Sequence, residues 1–250
     1  MDYHNPVLLE ETVGGLGIKP DGVYVDVTFG GGGHSREILN RLGEKGKLFG
    51  FDQDPDAQQN IIDDSRFTLI PENFRYIKRF LRFHGYKKVD GILGDFGVSS
   101  HQFDVAERGF STRFESNLDM RMNQKDALSA YNVVNDYEEE SLRQVFWQYG
   151  ELRNAPKLAR TIVQERQVKA IKTSEQLKKV LAPFLPKHRE HKILAQIYQA
   201  IRIEVNQEIE VLKEFLLQTE QLLEAGGRIS LISYHSVSYT HLTLPTIYSV

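Results

Sequence analysis

The chain has 250 residues, 40% of them hydrophobic and 26% charged, with a formal net charge of -3. That balance excludes disordered and fibrous classes and gives no global basic footprint for nucleic acid. Cysteine is absent, so disulfides, cysteine-bound zinc and a thiolate nucleophile are excluded together. Met1 to Glu10 lacks the basic and apolar regions of a secretory signal, and no stretch approaches the ~18 apolar residues of a membrane span; both point to a cytoplasmic protein without membrane contact.

Over the first hundred residues strand-like and helix-like segments alternate. Val23 to Phe29 reads as a buried strand and Ser35 to Leu42 as a helix with Ile38, Leu39 and Leu42 inward, closed by Gly43. Lys47 to Asp52 is a second strand, Pro55 suits the first turn of a second helix, and Phe67 to Ile70 is a third strand. Phe74, Ile77, Leu81 and His84 repeat at helical spacing, with Arg75, Lys78, Arg79 and Arg82 on the other faces; Gly91 to Asp95 is a fourth strand. Such alternation predicts a parallel sheet with helices on both faces.

From about Asp104 to Arg202 the signals become helical. Leu177, Val180, Leu181 and Phe184 follow a Thr173/Gln176 capping box, and Leu194, Ile197, Tyr198 and Ile201 share one face. We therefore expect a sheet domain at 1–103 and 203–236, interrupted by a helical insertion at 104–202. A long helix follows with Ile209, Leu212, Leu216 and Leu223 inward, and the turn Ala225-Gly226-Gly227 leads to a fifth strand, Arg228 to Tyr234.

The segment VDVTFGGGGHS, residues 25 to 35, holds the chemistry. Glycines at a first strand-to-helix turn supply positive φ and let a ligand touch the backbone. A dinucleotide fingerprint wants a third glycine where Ser35 stands. The acid ahead of the glycines, Asp26-x-x-x-Gly30-x-Gly32, is instead the pattern of class I S-adenosylmethionine methyltransferases, and by that likeness Asp26 lies near the ammonium of the amino-acid part. Asp52, ending the second strand, suits a ribose in either cofactor. Spacing alone leaves S-adenosylmethionine and NAD open.

Residues 90 to 123, DGILGDFGVSSHQFDVAERGFSTRFESNLDMRMN, narrow the choice. With His4 to Glu10, Asp26 to Ser35, Ala200 to Asn206 and Ile232 to Ser236, they resemble the bacterial ribosomal RNA small-subunit methyltransferase H (MraW) family over residues 3 to 236. The resemblance implies a Rossmann-like class I methyltransferase fold with an inserted helical substrate-recognition domain. It implies methyl transfer from S-adenosylmethionine to the exocyclic N4 of a decoding-region cytidine in small-subunit ribosomal RNA. The family's cofactor contacts fall on Gly32, Gly33, His34, Asp52, Phe74, Asp95 and Gln102, beside Asp26 and Gly30 from the loop pattern. Methylation at C5 of cytosine needs a cysteine nucleophile, which this chain lacks; an amino nitrogen needs an acceptor to orient it, and Asp95 is the candidate. Where many amino methyltransferases carry Asp-Pro-Pro-Tyr, this chain has Asp95-Phe96-Gly97-Val98, so base stacking stays unassigned.

Other features carry less. His188 and His191 sit among Lys187, Arg189 and Lys192 without a ligating carboxylate pair, so no metal is expected. Between Glu151 and Lys192, eleven Lys or Arg face four Glu, an RNA-docking candidate within the insertion. Arg108, Arg113 and Arg121 beside Phe110 and Phe114 are a further one. After Ser236 the family's Leu-Glu-Asp-Arg gives way to residues 237–250, which contain no Asp, Glu, Lys or Arg. They are expected to be a non-native ending that leaves the sheet incomplete, and the alternatives are a cofactor- or RNA-binding module without activity and an NAD-dependent oxidoreductase. The small ribosomal subunit is the expected partner, with monomer and homodimer both open.

Overall fold

A computed structural model describes residues 6–233; the expectations for His4, Asn5, His235, Ser236 and residues 237–250 lie outside the described residues. The chain divides into two compact units: one holds the described residues up to Ser99 and from Ile209 onward, and the other is Ser100–Glu208.

The first unit is a five-stranded parallel sheet. β1 (Val23–Asp26), β2 (Lys47–Phe51), β3 (Phe67–Ile70), β4 (Val89–Phe96) and β5 (Leu223–Ser233) are ordered β3-β2-β1-β4-β5. Successive strand residues point to opposite faces, so each adjacent pair feeds two cores. Val25, Phe49 and Ile92 pack with Ile77 and Leu81 of α3 (Ile77–Phe83) and with Leu212 and Phe215 of the C-terminal helix Glu208–Leu222. Their neighbours Tyr24, Leu48 and Leu93 pack on the other face with Val13 of α1 (Leu9–Gly15) and Ile38 and Leu39 of α2 (Gly33–Arg41). This is the Rossmann-like sheet that the alternation and the family resemblance predict. The winding direction reverses between β1 and β4, the place where ligands bind in such sheets.

Several elements differ from expectation. Pro55–Asn60 is a 3-10 helix capped by Asp54, and Phe74–Tyr76 is another that runs into α3. The Ala225-Gly226-Gly227 turn is a bulge inside β5: the register steps from Val89↔Leu223 to Gly91↔Arg228, so Asp90 alone faces residues 224–227. Gly226, at φ +77°, supplies the bend. Leu223 consequently belongs to the strand, and Phe215, which the reading of the helix omitted, is the fully buried member of that face.

The second unit is helical: α4 (Ser100–Asp104), α5 (Ala130–Asp136), α6 (Glu139–Gln148), α7 (Ala155–Val168), α8 (Ser174–Leu181) and α9 (Glu190–Val205), followed by the helix from Glu208, α10. Val133, Phe146, Leu158, Leu177, Ile197 and Ile201 are buried in it. Thr173 caps α8 by accepting from the Gln176 amide, but the Gln176 side chain accepts from Lys172 N at 2.7 Å, one residue earlier than a capping box requires. No helix among the described residues is long and apolar enough to cross a membrane.

A polar knot ties the loop before α5 to the end of α9. Asn206 Oδ1 accepts from Met122 N at 2.8 Å while Asn206 Nδ2 donates to Met120 O and Arg202 O, both at 2.8 Å. Met120, at φ +59°, is held in the left-handed region by this clamp. The buried Arg108 donates to Arg121 O and Met122 O, and Arg121 pairs with Asp119 at 2.7 Å. Arg108 and Arg121 therefore hold this loop together, which corrects their reading as an RNA-facing cluster. Asn206→Ala leaves Met122 N and Met120 O without these partners in a buried setting, so it should lower unfolding free energy by about 2 to 4 kcal/mol, measurable as a fall in the urea midpoint at unchanged m-value.

Candidate active site

The glycine loop grows directly out of β1. Past Asp26 the backbone keeps its ladder, Val27 N donating to Leu93 O at 2.8 Å and Phe29 N to Phe51 O at 2.9 Å, before Gly30 turns away at φ +50°. Gly32, at φ +75°, is the N-cap of α2. The glycines serve different ends. A Cβ at Gly30 would meet nothing nearer than Thr28 O at 3.9 Å, so there the need is conformational and the space beside it is open. A Cβ at Gly32 would come within 2.9 Å of Phe29 Cε2, and one at Gly33 within 2.2 Å of Pro6 Cγ. At those two positions the chain's own packing forbids a side chain, without any ligand.

Asp26 is 1% exposed. One carboxylate oxygen accepts from Ser35 Oγ at 2.7 Å and the other from Thr28 N at 3.1 Å. Burial pushes this carboxyl upward, with the Ser35 hydroxyl as the largest opposing influence. Ser35 thus occupies the position of the missing third glycine for a positive reason, fastening the first turn of α2 to the end of β1. Asp26, almost fully buried, braces the loop from behind through these bonds.

Asp52 lies at the end of β2. Its Oδ2 accepts from Gly30 N at 2.7 Å and its Oδ1 from Asp54 N at 2.9 Å. Burial raises it to about 6; the two backbone donors oppose the shift and the charges of Asp54 and Asp26 add to it. Each oxygen retains a further lone pair for a hydroxyl donor. Asp95, near the end of β4, is positioned through its backbone: Asp95 N donates to Thr28 Oγ1 at 2.7 Å. Its half-buried carboxylate accepts no hydrogen bond from the described residues. Burial raises its pKa, His34 lowers it and Asp26 raises it.

His34, in the first turn of α2, is buried with Nε2 3.2 Å from Val7 O. Phe74 stands at the end of β3's connection, half-buried against Phe96 and Phe215, with ring centroids at 5.6 and 5.4 Å. Asn73 caps that turn and donates to Gln53 Oε1 at 2.8 Å, tying the Phe74 turn to the residue after Asp52. Asp26, Gly30, Gly32, Gly33, His34, Asp52, Phe74 and Asp95 all belong to the first unit; Gln102, buried on α4, belongs to the second. Thr28, Asn73 and Gln53 were missed by sequence reasoning. A hydroxyl two residues past the strand-end acid was the available signal for Thr28; nothing in the sequence marks the Asn73–Gln53 tie.

Open space beside a positive-φ glycine, two carboxylates with lone pairs to spare and an aromatic wall fit a cationic ligand bearing ribose hydroxyls, the chemistry of S-adenosylmethionine. The brace itself is testable. Ser35→Ala leaves the buried Asp26 one donor short, so stability should fall by roughly 1 to 3 kcal/mol. Ser35→Thr, which keeps the hydroxyl, should lose less in the same thermal melts.

Comparison with known proteins agrees with this geometry. The chain matches the MraW methylase family over residues 1–240. It is 73% identical to the ribosomal RNA small subunit methyltransferase H of Christiangramia forsetii over 237 residues, covering 95% of this chain and 78% of that protein. The protein of the same name from Flavobacterium johnsoniae is 70% identical and that from Bacteroides thetaiotaomicron 55%, each with the same coverage. A family match of this extent, with identities this high, means that the chain belongs to the MraW methylase family.

Proposed function

We propose that this protein transfers a methyl group from S-adenosylmethionine to the exocyclic N4 of a cytidine in the decoding region of small-subunit ribosomal RNA, in the cytoplasm where small ribosomal subunits are built. The observation that carries the reading is the convergence of Asp52 and Asp95 on the switch point around the Asp26 brace, with the Asp95 carboxylate accepting no hydrogen bond from the described residues. S-adenosylmethionine supplies an electrophilic methyl on a sulfonium. Asp52 holds the ribose hydroxyls, Gly30 opens the loop, and Phe74 walls the pocket. Asp95 accepts a hydrogen bond from the N4 amino group, which turns the amine so that its electron density faces the methyl carbon. Delivery of the methyl to N4 would release one N4 proton, with Asp95 as the acceptor beside the amine. A carboxylate whose pKa is lifted by burial is better matched to receive it than an exposed aspartate.

The NAD reading loses its footing, since Ser35 is committed to Asp26. The helical unit is the RNA-recognition part in this proposal, though its basic surface is smaller than its composition suggests: Lys178 pairs with Glu190 at 2.7 Å and Lys179 with Glu175 at 3.5 Å. Lys187, Arg189 and Lys192 have no ion pair among the described residues and are the cations left to it on that segment.

Asp95→Asn keeps the size but loses the proton acceptor. Tritium transfer from S-adenosylmethionine to small subunits and to free RNA, with nuclease mapping, should show methylation at a cytidine by the unaltered protein and a rate lowered by roughly 10² to 10⁴ in the variant; full activity in the variant would refute the role. Asp52→Ala should weaken S-adenosylmethionine binding by roughly 1.5 to 3 kcal/mol. Because an ionised carboxylate is the better acceptor, calorimetric affinity should fall as pH drops through about 6, and Asp52→Ala should flatten that dependence. Stability runs the other way. With its folded pKa raised, Asp52 keeps a proton that the unfolded chain has released, so its contribution falls as pH rises from 3.8 to about 6.

A further inference from the structure

The exposed face of α3 concentrates charge and aromatic surface that the site does not use. From Asn73 to Val89 the sequence contains six Lys or Arg and no Asp or Glu. Ile77 and Leu81 are fully buried, which fixes the rotation of the helix. Tyr76, Arg79 and Phe83 then form one outward stripe at spacings of three and four, with Arg82 beside it. Phe83 is 81% exposed and Tyr76 44%.

The cations are unequally compensated. Arg75 is bridged to Glu214 at 2.6 Å and lies over the Tyr76 ring at 5.9 Å, and Lys78 donates to Gln221. Lys88 donates to Leu223 O at 3.0 Å, whereas the side chains of Arg79, Arg82 and, in the turn after the helix, Lys87 have neither an ion pair nor a hydrogen bond among the described residues; Arg79 is 5.8 Å over the Phe80 ring. Three cations without any such partner beside a bare phenyl ring call for an anionic partner that also offers flat apolar faces. A purely apolar protein partner would leave the cations without purpose. An anionic lipid surface would satisfy them, but a helix of seven residues presents little insertable area. Single-stranded RNA offers both phosphates and unstacked bases.

We propose that this face of α3 docks a single-stranded stretch of the RNA substrate, with phosphates on Arg79, Arg82 and Lys87 and a base stacked on Phe83. The proposal rests on the RNA reading above and adds a docking surface on the unit that carries the acids. The test uses the full chain and a labelled single-stranded fragment of the small-subunit decoding region, with affinity measured against salt concentration. A triple reversal, Arg79→Glu with Arg82→Glu and Lys87→Glu, should weaken binding and reduce the slope of log K against log salt by about 2, from ~0.7 per phosphate released. Phe83→Ala should weaken binding roughly 5- to 150-fold with the slope kept. Arg79→Lys with Arg82→Lys should keep the slope. Melting temperature and S-adenosylmethionine affinity should match the unaltered protein throughout, since these side chains are exposed. If the unaltered protein binds the RNA and transfers methyl while the reversal and Phe83→Ala behave identically to it, the α3 surface is wrong and the functional reading stands. If the unaltered protein neither binds RNA nor transfers methyl, both fail. Loss of binding to phosphatidylserine vesicles with RNA affinity intact would reassign the face to a membrane.

Discussion

A buried carboxylate at the end of β1 governs the geometry of the site. Removing Asp26 from water is costly unless donors are fixed around it, and the chain supplies Ser35 Oγ from α2 and Thr28 N from the loop. Those bonds dictate the path between strand and helix: α2 must start where Ser35 can reach back, so the turn is compressed onto Gly30 and Gly32 at positive φ. Thr28, once held by Asp26, presents its hydroxyl to Asp95 N. The same turn presents Gly30 N to Asp52. One buried group thereby sets the relation between the ends of three strands.

The arrangement has an electrostatic consequence. Asp26 raises both Asp52 and Asp95, on top of the burial each suffers. Crowded acids of this kind are destabilised as anions and relieved by a cation, and a sulfonium is one that cannot be neutralised by losing a proton. The first unit therefore favours its ligand by charge as well as by hydrogen bonds.

Much of this could be read from residues in order. Strand and helix alternated with the right periods, and Phe67 to Ile70 and the inward face of α9 emerge as expected because apolar spacing alone determines them; of the face read for α3, Ile77 and Leu81 are buried, whereas His84 lies past the helix end and is exposed. The acids at 26, 52 and 95 were visible as strand-end residues. What stayed hidden depends on contacts between distant segments. Gly33 lacks a side chain for a reason that only the folded chain shows, since Pro6 occupies the space its Cβ would need. Ala225-Gly226-Gly227 has the composition of a turn, yet pairing with β4 on both sides makes it a bulge. Lys178 and Lys179 count toward a basic surface until Glu190 and Glu175 are brought against them. Arg108 and Arg121 look exposed and are consumed by carbonyls and by Asp119.

Net charge hid the most informative separation. A total of -3 suggests a protein indifferent to nucleic acid, but it sums over charges of opposite sign kept apart by burial. The acids of the switch point are inside, where low dielectric strengthens their pull on a cation and where phosphates cannot reach them. The exposed cations of α3 and the turn after it are outside, where screening shortens their range to about a Debye length, ~8 to 10 Å. A polyanion approaching this unit meets the exposed cations before the carboxylates of the switch point, which burial sets back from the surface. Burial thus lets one unit attract a sulfonium and a phosphate backbone at once, which a surface carrying the same charges in mixed order could not do.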